Sequence, residues 1–168
     1  MTRQPAPQPL VGFRRWGARR GGLYSGIFVA GRFVPNPALA MIAPRAIPVP
    51  WPTDHDRNAR CYALGGHEAP HAACGCGYSA YYTLPDEPDL PAPEAVWGAV
   101  VAWGRIVECE RGFRAEYARP VAVLEARNPL DRREGGRRLE RVAERYEIPL
   151  LAAGELVAYA GWHGELVV

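Results

Sequence analysis

The sequence predicts an α+β protein that is mainly β: a small, strongly bent sheet or barrel with a zinc loop and one or two C-terminal helices. Seventeen prolines and eighteen glycines among 168 residues divide the chain into short pieces, which favours strands and turns over long helices. The segment 96–109 is apolar on both alternating faces, as in a strand buried on both sides. A cluster of Cys and His residues lies between positions 61 and 76. We expect one domain at 10–168 after a loose tail at 1–9.

The N-terminal half contains strand-like segments separated by turns and proline-rich stretches. Val11–Trp16 and Leu23–Val34 are predicted strands, joined by the turn Arg20-Gly21-Gly22. The segments that follow are an extended connector with six prolines at 35–52, a loop at 54–77 that holds the Cys/His cluster, a strand at 78–84 and an acidic loop at 85–93.

The core hairpin is predicted from the strand 96–109, a turn at 110–112 and a second strand that starts at Phe113. Gly98 and Gly104 give the first strand places to coil sharply. Alternation in the second strand predicts that Arg114 and Glu116 face solvent, whereas Trp97 and Trp103 are buried. The sheet is expected to continue at 121–125, followed by a helix at 137–146 and a short helix at 155–160.

The Cys/His cluster predicts a zinc site. Cys74-Gly-Cys76-Gly places two thiols on one flexible turn, and Cys61 with one histidine completes a set of four soft or borderline donors. We favour His67 as the fourth ligand because Gly65-Gly66 before it lets the loop turn back, with His71 as the alternative. A structural zinc ion with four protein ligands is favoured over a catalytic zinc ion with three ligands and a water. The fourth thiol, Cys109, lies on the core strand and is expected to be buried.

One motif within the cluster is rejected. His67-Glu68-Ala69-Pro70-His71 matches the zinc-protease pattern H-E-x-x-H. That pattern places both histidines on one face of a helix, and Pro70 would remove a backbone donor and clash inside such a helix. The deaminase pattern also fails, because no P-C-x-x-C follows.

The basic residues are all arginine and are unevenly distributed. Seven arginines precede the first acidic residue, Asp54, giving +7; the other 13 arginines face 18 acidic residues, giving −5. Arg14, Arg15 and Arg19 are candidates for phosphate contacts, and Trp16 for stacking on a base. The alternative is that these arginines only cover the outer face of a strand.

The chain resembles a group of small uncharacterised bacterial proteins with zinc-binding-like motifs. The resemblance rests on Trp51, Cys61, His67, the run Cys74-Gly-Cys-Gly-Tyr78 and the run Trp103-Gly-Arg-Ile-Val-Glu-Cys-Glu-Arg-Gly-Phe-Arg-Ala-Glu-Tyr117. It covers about residues 11–125 and implies a shared domain without implying an activity. In shape alone, the predicted bent barrel with helices is similar to PUA-like modules, which bind RNA or modified bases.

These observations favour a non-enzymatic, zinc-stabilised binding module, with nucleic acid as the favoured ligand. A protein-interaction adaptor and a metal-dependent enzyme with catalytic zinc remain alternatives. Residues 1–10 lack the apolar segment of a secretory signal. The longest apolar stretch, 95–104, is about half of what a membrane-spanning helix needs. We therefore expect a cytoplasmic protein without a membrane partner.

Overall fold

The computed structural model describes residues 8–25, 27–29, 32–34, 49–53, 57–61, 66–85, 95–125 and 131–166. Ten strands and two helices lie within these ranges. The strands are β1 (Leu10–Arg19), β2 (Gly22–Ser25), β3 (Ile27–Val29), β4 (Arg32–Val34), β5 (Val49–Pro50), β6 (Tyr78–Tyr81), β7 (Ala95–Cys109), β8 (Gly112–Leu124), β9 (Leu150–Leu151) and β10 (Glu165–Leu166). The helices are α1 (Asp131–Tyr146) and α2 (Ala153–Gly161).

Four antiparallel strands form a closed ring. Strand β1 pairs with β6 and β7, and β8 pairs with the same two strands. Strands β2 and β5 extend the sheet beyond β1, while β9 and β10 add short parallel pairings to β8 and β1. Strands β3 and β4 form a separate two-stranded sheet. The predicted fold class, mainly β with a strongly bent sheet and two C-terminal helices, is confirmed.

The sheet that forms the ring is buried on both faces. Strand β7 carries apolar side chains on each of these faces. One core contains Val96, Val100 and Ala102, and the other contains Trp97, Ala99 and Val101. Helix α1 covers the first core with Val142, and α2 covers the second with Leu156, each without exposed surface. In the part of the chain that the structure describes, neither helix is long and apolar enough to cross a bilayer.

Two glycines allow β7 to bend where the sequence predicts it. Gly104 has φ +80° and lies where the β7–β8 register shifts between Trp103 and Ile106. Gly98 precedes a second register shift, between Ala99 and Val100. A Cβ at Gly98 would lie 2.9 Å from Cζ3 of Trp16 and would overlap the carbonyl oxygen of Ala122. Close approach of neighbouring strands therefore requires glycine at position 98.

Several predicted boundaries differ from the structure. The hairpin turn after β1 is confirmed, but the predicted strand 23–34 is divided into β2, β3 and β4. The two segments predicted after the core turn form one strand, β8, because Pro120 lies at a register shift and pairs with Val100. Helix α1 begins at Asp131 instead of 137, and the short strands β5, β9 and β10 were not predicted. The tail, the connector and the acidic loop fall mostly outside the described residues.

Side-chain orientation in the core hairpin is only partly as predicted. Trp97 is 7% exposed, in agreement with the prediction. Trp103 is half-buried and stacks on Tyr117 at 5.8 Å with an interplanar angle of 8°. Arg114 and Glu116 are also half-buried, so the prediction that they face solvent is wrong. The loop that carries the Cys/His cluster packs over this side of β8, which the local alternation does not reveal.

Gly98→Ala should lower the free energy of unfolding by about 1–3 kcal/mol, because the new methyl group meets Trp16 and backbone in a closely packed core. Gly136→Ala is the matched control: it lies in α1 and a Cβ there has no neighbour within 4 Å. The control should stabilise the protein by about 0.5–1 kcal/mol. Urea unfolding of both variants measures the difference, and equal effects would contradict the close approach at position 98.

Candidate metal centre

The Cys/His cluster lies on a loop that leads directly into β6. Gly66 and Gly77 adopt φ of +59° and +111°, values that L-residues rarely take. A Cβ at Gly77 would also lie 2.9 Å from Cβ of Pro70. The conformation of the loop therefore needs glycine at both positions, and it turns the chain so that Cys74 and Cys76 face back toward Cys61.

Four ligand atoms converge on one point. The Sγ atoms of Cys61 and Cys74 are 3.8 Å apart, and Sγ of Cys76 lies 3.4 Å from Nε2 of His67. All four atoms lie within 4.8 Å of one another, and all four residues are half-buried. The structure thus brings together the four residues selected from the sequence, and the cluster could hold a metal ion.

His71, the alternative ligand, lies beside the cluster without joining it. Its ring centroid is 4.6 Å from that of His67, and its Nδ1 accepts a hydrogen bond from the backbone N–H of Ala73 at 3.3 Å. Its carbonyl oxygen accepts from the backbone N–H of Cys74 at 3.1 Å. His71 therefore shapes the turn before Cys74, while His67 supplies the imidazole nitrogen of the cluster.

The region of the H-E-x-x-H match contains no helix. Residues 66–76 form turns and bends, and the Ala69–Pro70 peptide bond is cis. Pro70 is fully buried. The two histidines therefore do not adopt the one-turn spacing on a helix that a zinc protease uses, in agreement with the rejection of that motif.

Arg114 on β8 ties the loop to the sheet. Its Nη1 donates to the carbonyl oxygens of His71 at 3.0 Å and Cys76 at 3.2 Å, and also to that of Cys74. Its Nη2 lies 3.5 Å from the carbonyl oxygen of Ala72. One guanidinium thus gathers the carbonyl groups of the turn that presents two of the thiols. The sequence does not reveal this role, because the contact depends on sheet register between distant residues.

Two further contacts hold the Cys/His segment against β7 and β8. The backbone N–H of Ala59 donates to the carbonyl oxygen of Glu116 at 2.7 Å, two residues before Cys61. Arg105 and Glu68 form an ion pair at 2.7 Å. Both partners of that pair are exposed, so its contribution to stability is small.

The surroundings act differently on two of the thiols. A hydrogen bond from the backbone of Cys76 lowers the pKa of the Cys74 thiol, with smaller contributions from the neighbouring thiols and the charge of Arg114. Burial is the main cause that raises the pKa of the Cys76 thiol. Because the thiolate is the form that binds metal, these hydrogen bonds favour metal binding at Cys74.

Cys109, the remaining thiol, is exposed, so the prediction that it is buried is wrong. It is the last residue of β7 and lies beyond the part of the strand that enters the cores. It therefore lies outside the cluster of four.

The predicted nucleic-acid residues lie in different surroundings. Trp16 has no exposed surface, so its predicted stacking on a base is not available. Arg14 is directed to the same core face as Trp16, where it donates to Ser79 and Ser25. Arg15 is half-buried on the opposite face of β1, and Arg19 is exposed where the strand ends. The strand therefore separates the four residues that the sequence placed in one contact surface.

No protein-family model matches the chain, and neither the curated proteins nor the solved structures contain a significant match.

Proposed function

We propose that Cys61, His67, Cys74 and Cys76 bind one zinc ion. The observation that carries this proposal is the spacing of the ligand atoms. With Zn–S bonds of about 2.3 Å and a Zn–N bond of about 2.0 Å, tetrahedral geometry separates two sulfurs by about 3.8 Å and a sulfur from a nitrogen by about 3.5 Å. The Sγ atoms of Cys61 and Cys74 are 3.8 Å apart, and Sγ of Cys76 is 3.4 Å from Nε2 of His67. Three thiols and one imidazole are also a typical donor set for structural zinc.

The zinc ion would stabilise the fold. Four protein ligands fill a tetrahedral shell, so the position that a catalytic water needs is taken by a side chain. The loop 66–77 also lacks a hydrophobic core of its own: most of its residues are exposed or half-buried. A bond network through the metal would supply the cohesion that apolar packing does not. The function that follows is a non-enzymatic, zinc-stabilised binding module.

We propose nucleic acid as the ligand of this module, at a surface that differs from the one predicted from the sequence. The turn after β1 packs on α1, because a Cβ at Gly21 would lie 3.3 Å from the carbonyl oxygen of Arg141. Arg19 and Arg20 directly precede Gly21, and Arg137 precedes Arg141 by one helical turn. All four residues are exposed. We call these four the turn–helix surface; a group of exposed arginines of this kind suits contacts with phosphates.

Removal of one ligand tests the metal proposal. Purified wild-type protein should contain about one zinc per chain, whereas Cys74→Ser should lose it. With free zinc at 100 times its dissociation constant, binding stabilises by about 2.7 kcal/mol, so the variant should melt roughly 5–11 °C lower. Elemental analysis and thermal unfolding measure both effects. Cys109→Ser, which changes an exposed thiol outside the cluster, should match wild type; a metal-free wild type would remove the site.

Arg114→Gln tests whether the guanidinium positions the loop. The variant keeps all four ligands but loses the bonds to the carbonyl groups of the turn, and groups that orient metal ligands typically contribute 10–100-fold to affinity. We expect zinc affinity to fall by about tenfold or more, measured by competition with a chromophoric chelator. Arg111→Gln, at an exposed position in the turn between β7 and β8, is the control. Equal affinities in the two variants would show that Arg114 does not position the ligands.

Charge reversal tests the nucleic-acid proposal. The double variant Arg20→Glu/Arg141→Glu should weaken binding to nucleic acid and reduce the slope of log affinity against log salt by about 1–2, since each phosphate contact contributes roughly 0.7–0.9. Fluorescence anisotropy at several salt concentrations measures this slope. Arg111 lies in the turn after the C-terminal end of β7, whereas the turn–helix surface lies near its N-terminal end. Arg111→Glu should therefore leave the slope almost unchanged. Absence of binding at low salt, or an equal effect of the control, would contradict the proposal.

A further inference from the structure

Arg14 occupies a gap along one edge of β1. Strand β1 pairs with β2 through residues 17–19 and with β6 at Phe13. Residues 14–16 therefore pair with neither β2 nor β6. Arg14 spans this gap with its side chain. Its Nη1 donates to the carbonyl oxygen of Ser79 at 2.6 Å and to the hydroxyl of the same residue, and its Nη2 donates to Oγ of Ser25 at 3.1 Å.

The guanidinium of Arg14 is a buried cation with neutral partners. Within the described residues its hydrogen bonds go to serine oxygens and its charge lies over the ring of Trp51, 5.2 Å from the centroid. Burial lowers the pKa of Arg14 to about 10, so the group keeps its charge at neutral pH. A buried charge without an opposite charge nearby is costly, and the described part of β1, β2 and β6 supplies no carboxylate to Arg14.

Arg14 also has donors left over. A guanidinium carries five N–H groups, and it forms three hydrogen bonds with described residues. Nε has no exposed surface and no acceptor among the described residues. Nε and Nη2 lie side by side on one edge of the guanidinium, the arrangement with which arginine holds a carboxylate or phosphate through two parallel bonds.

A second donor without an acceptor lies close by. The indole Nε1 of Trp16 is buried and also has no hydrogen-bond acceptor in the described part of the chain. Trp16 follows Arg14 by two residues on the same face of β1, and its ring contacts Trp51 at a centroid distance of 5.3 Å. Both side chains therefore contact the indole ring of Trp51. Because both are donors, a group that satisfies them must be an acceptor.

We propose that the Arg14 site, formed by Arg14, Ser25, Ser79 and Trp51, binds the oxyanion of a small molecule, either a carboxylate or a phosphate. The Nε and Nη2 edge of Arg14 holds two of its oxygens, and the negative charge compensates the buried guanidinium. Ser25 and Ser79 are half-buried, so two of the four residues of the site are partly exposed to solvent. This binding involves neither the zinc ligands nor the turn–helix surface and adds a second ligand to the module.

An NMR titration tests the proposal on the full-length protein purified with its metal. The Nε–H signal of Arg14 and the indole N–H signal of Trp16 are followed as sodium acetate or sodium phosphate is added, with sodium chloride at matched ionic strength as the reference. We expect a saturable shift of the Arg14 signal with one of the two oxyanions. Acetate identifies a carboxylate as the ligand group, and phosphate identifies a phosphate.

Arg14→Lys separates recognition from charge. Lysine keeps the positive charge but lacks two adjacent donors, so affinity for the effective oxyanion should fall by about tenfold, the effect of one lost charge-assisted hydrogen bond. Arg111→Lys, at an exposed position, should bind as wild type does. Unchanged affinity in folded Arg14→Lys overturns the proposal. If that variant does not fold, the wild-type titration decides: shifts no larger than those with chloride show that Arg14 only clamps β2 to β6.

Discussion

The pairing of β7 with β8 is the constraint on which the rest of the structure depends. It extends from residue 98 to residue 123 and joins two strands that contribute side chains to both cores. Two apolar faces need two covers, which is why α1 and α2 lie on opposite sides. The same pairing determines the direction of each side chain of β8, and it directs Arg114 toward the loop 66–77 that carries most of the Cys/His cluster.

The fold class was predictable from composition and local pattern, whereas several boundaries were not. The apolar run of β7 and its two glycines identified a bent core strand, because burial on both faces leaves a continuous apolar segment. The sequence predicts a separate segment at 121–125, whereas β8 runs through Pro120 without a break. Proline can lie in a sheet at a bulge, and the bulge opposite Val100 is set by the partner strand. The short strands β5, β9 and β10 depend on such partners as well and carry no local signal.

The candidate site shows the same division. Cys61, Cys74 and Cys76 were found because thiols are rare and their spacing on a glycine-rich loop is visible in the chain. The environments of Arg14 and Arg114 were not found, because each contacts residues that are 38 or more positions away along the chain. An alternating strand pattern marks both as outward-facing charges. In the folded chain both donate instead to neutral oxygens.

Arg14 and Arg114 make similar hydrogen bonds but differ in the charges that surround them. Both direct several N–H groups at carbonyl or hydroxyl oxygens. The planar guanidinium, with five donors, is better suited to this role than an ammonium group. In the proposed metal centre, three thiolates, a neutral imidazole and Zn²⁺ leave one negative charge. Arg114 donates to the carbonyl oxygens of Cys74 and Cys76, so its positive charge lies beside that centre.

Arg14 has no such counterpart among the described residues. The hydroxyl of Ser25 and the oxygens of Ser79 supply dipoles but no charge, and the ring of Trp51 attracts the cation without carrying a negative charge. The two sites lie close together, since Tyr78 follows the metal loop directly and its ring contacts Trp51 at a centroid distance of 5.0 Å. A zinc-ordered loop would hold Tyr78 and Trp51 in place. The metal would then stabilise the wall of the Arg14 site, while the oxyanion would supply the charge that the fold itself leaves out.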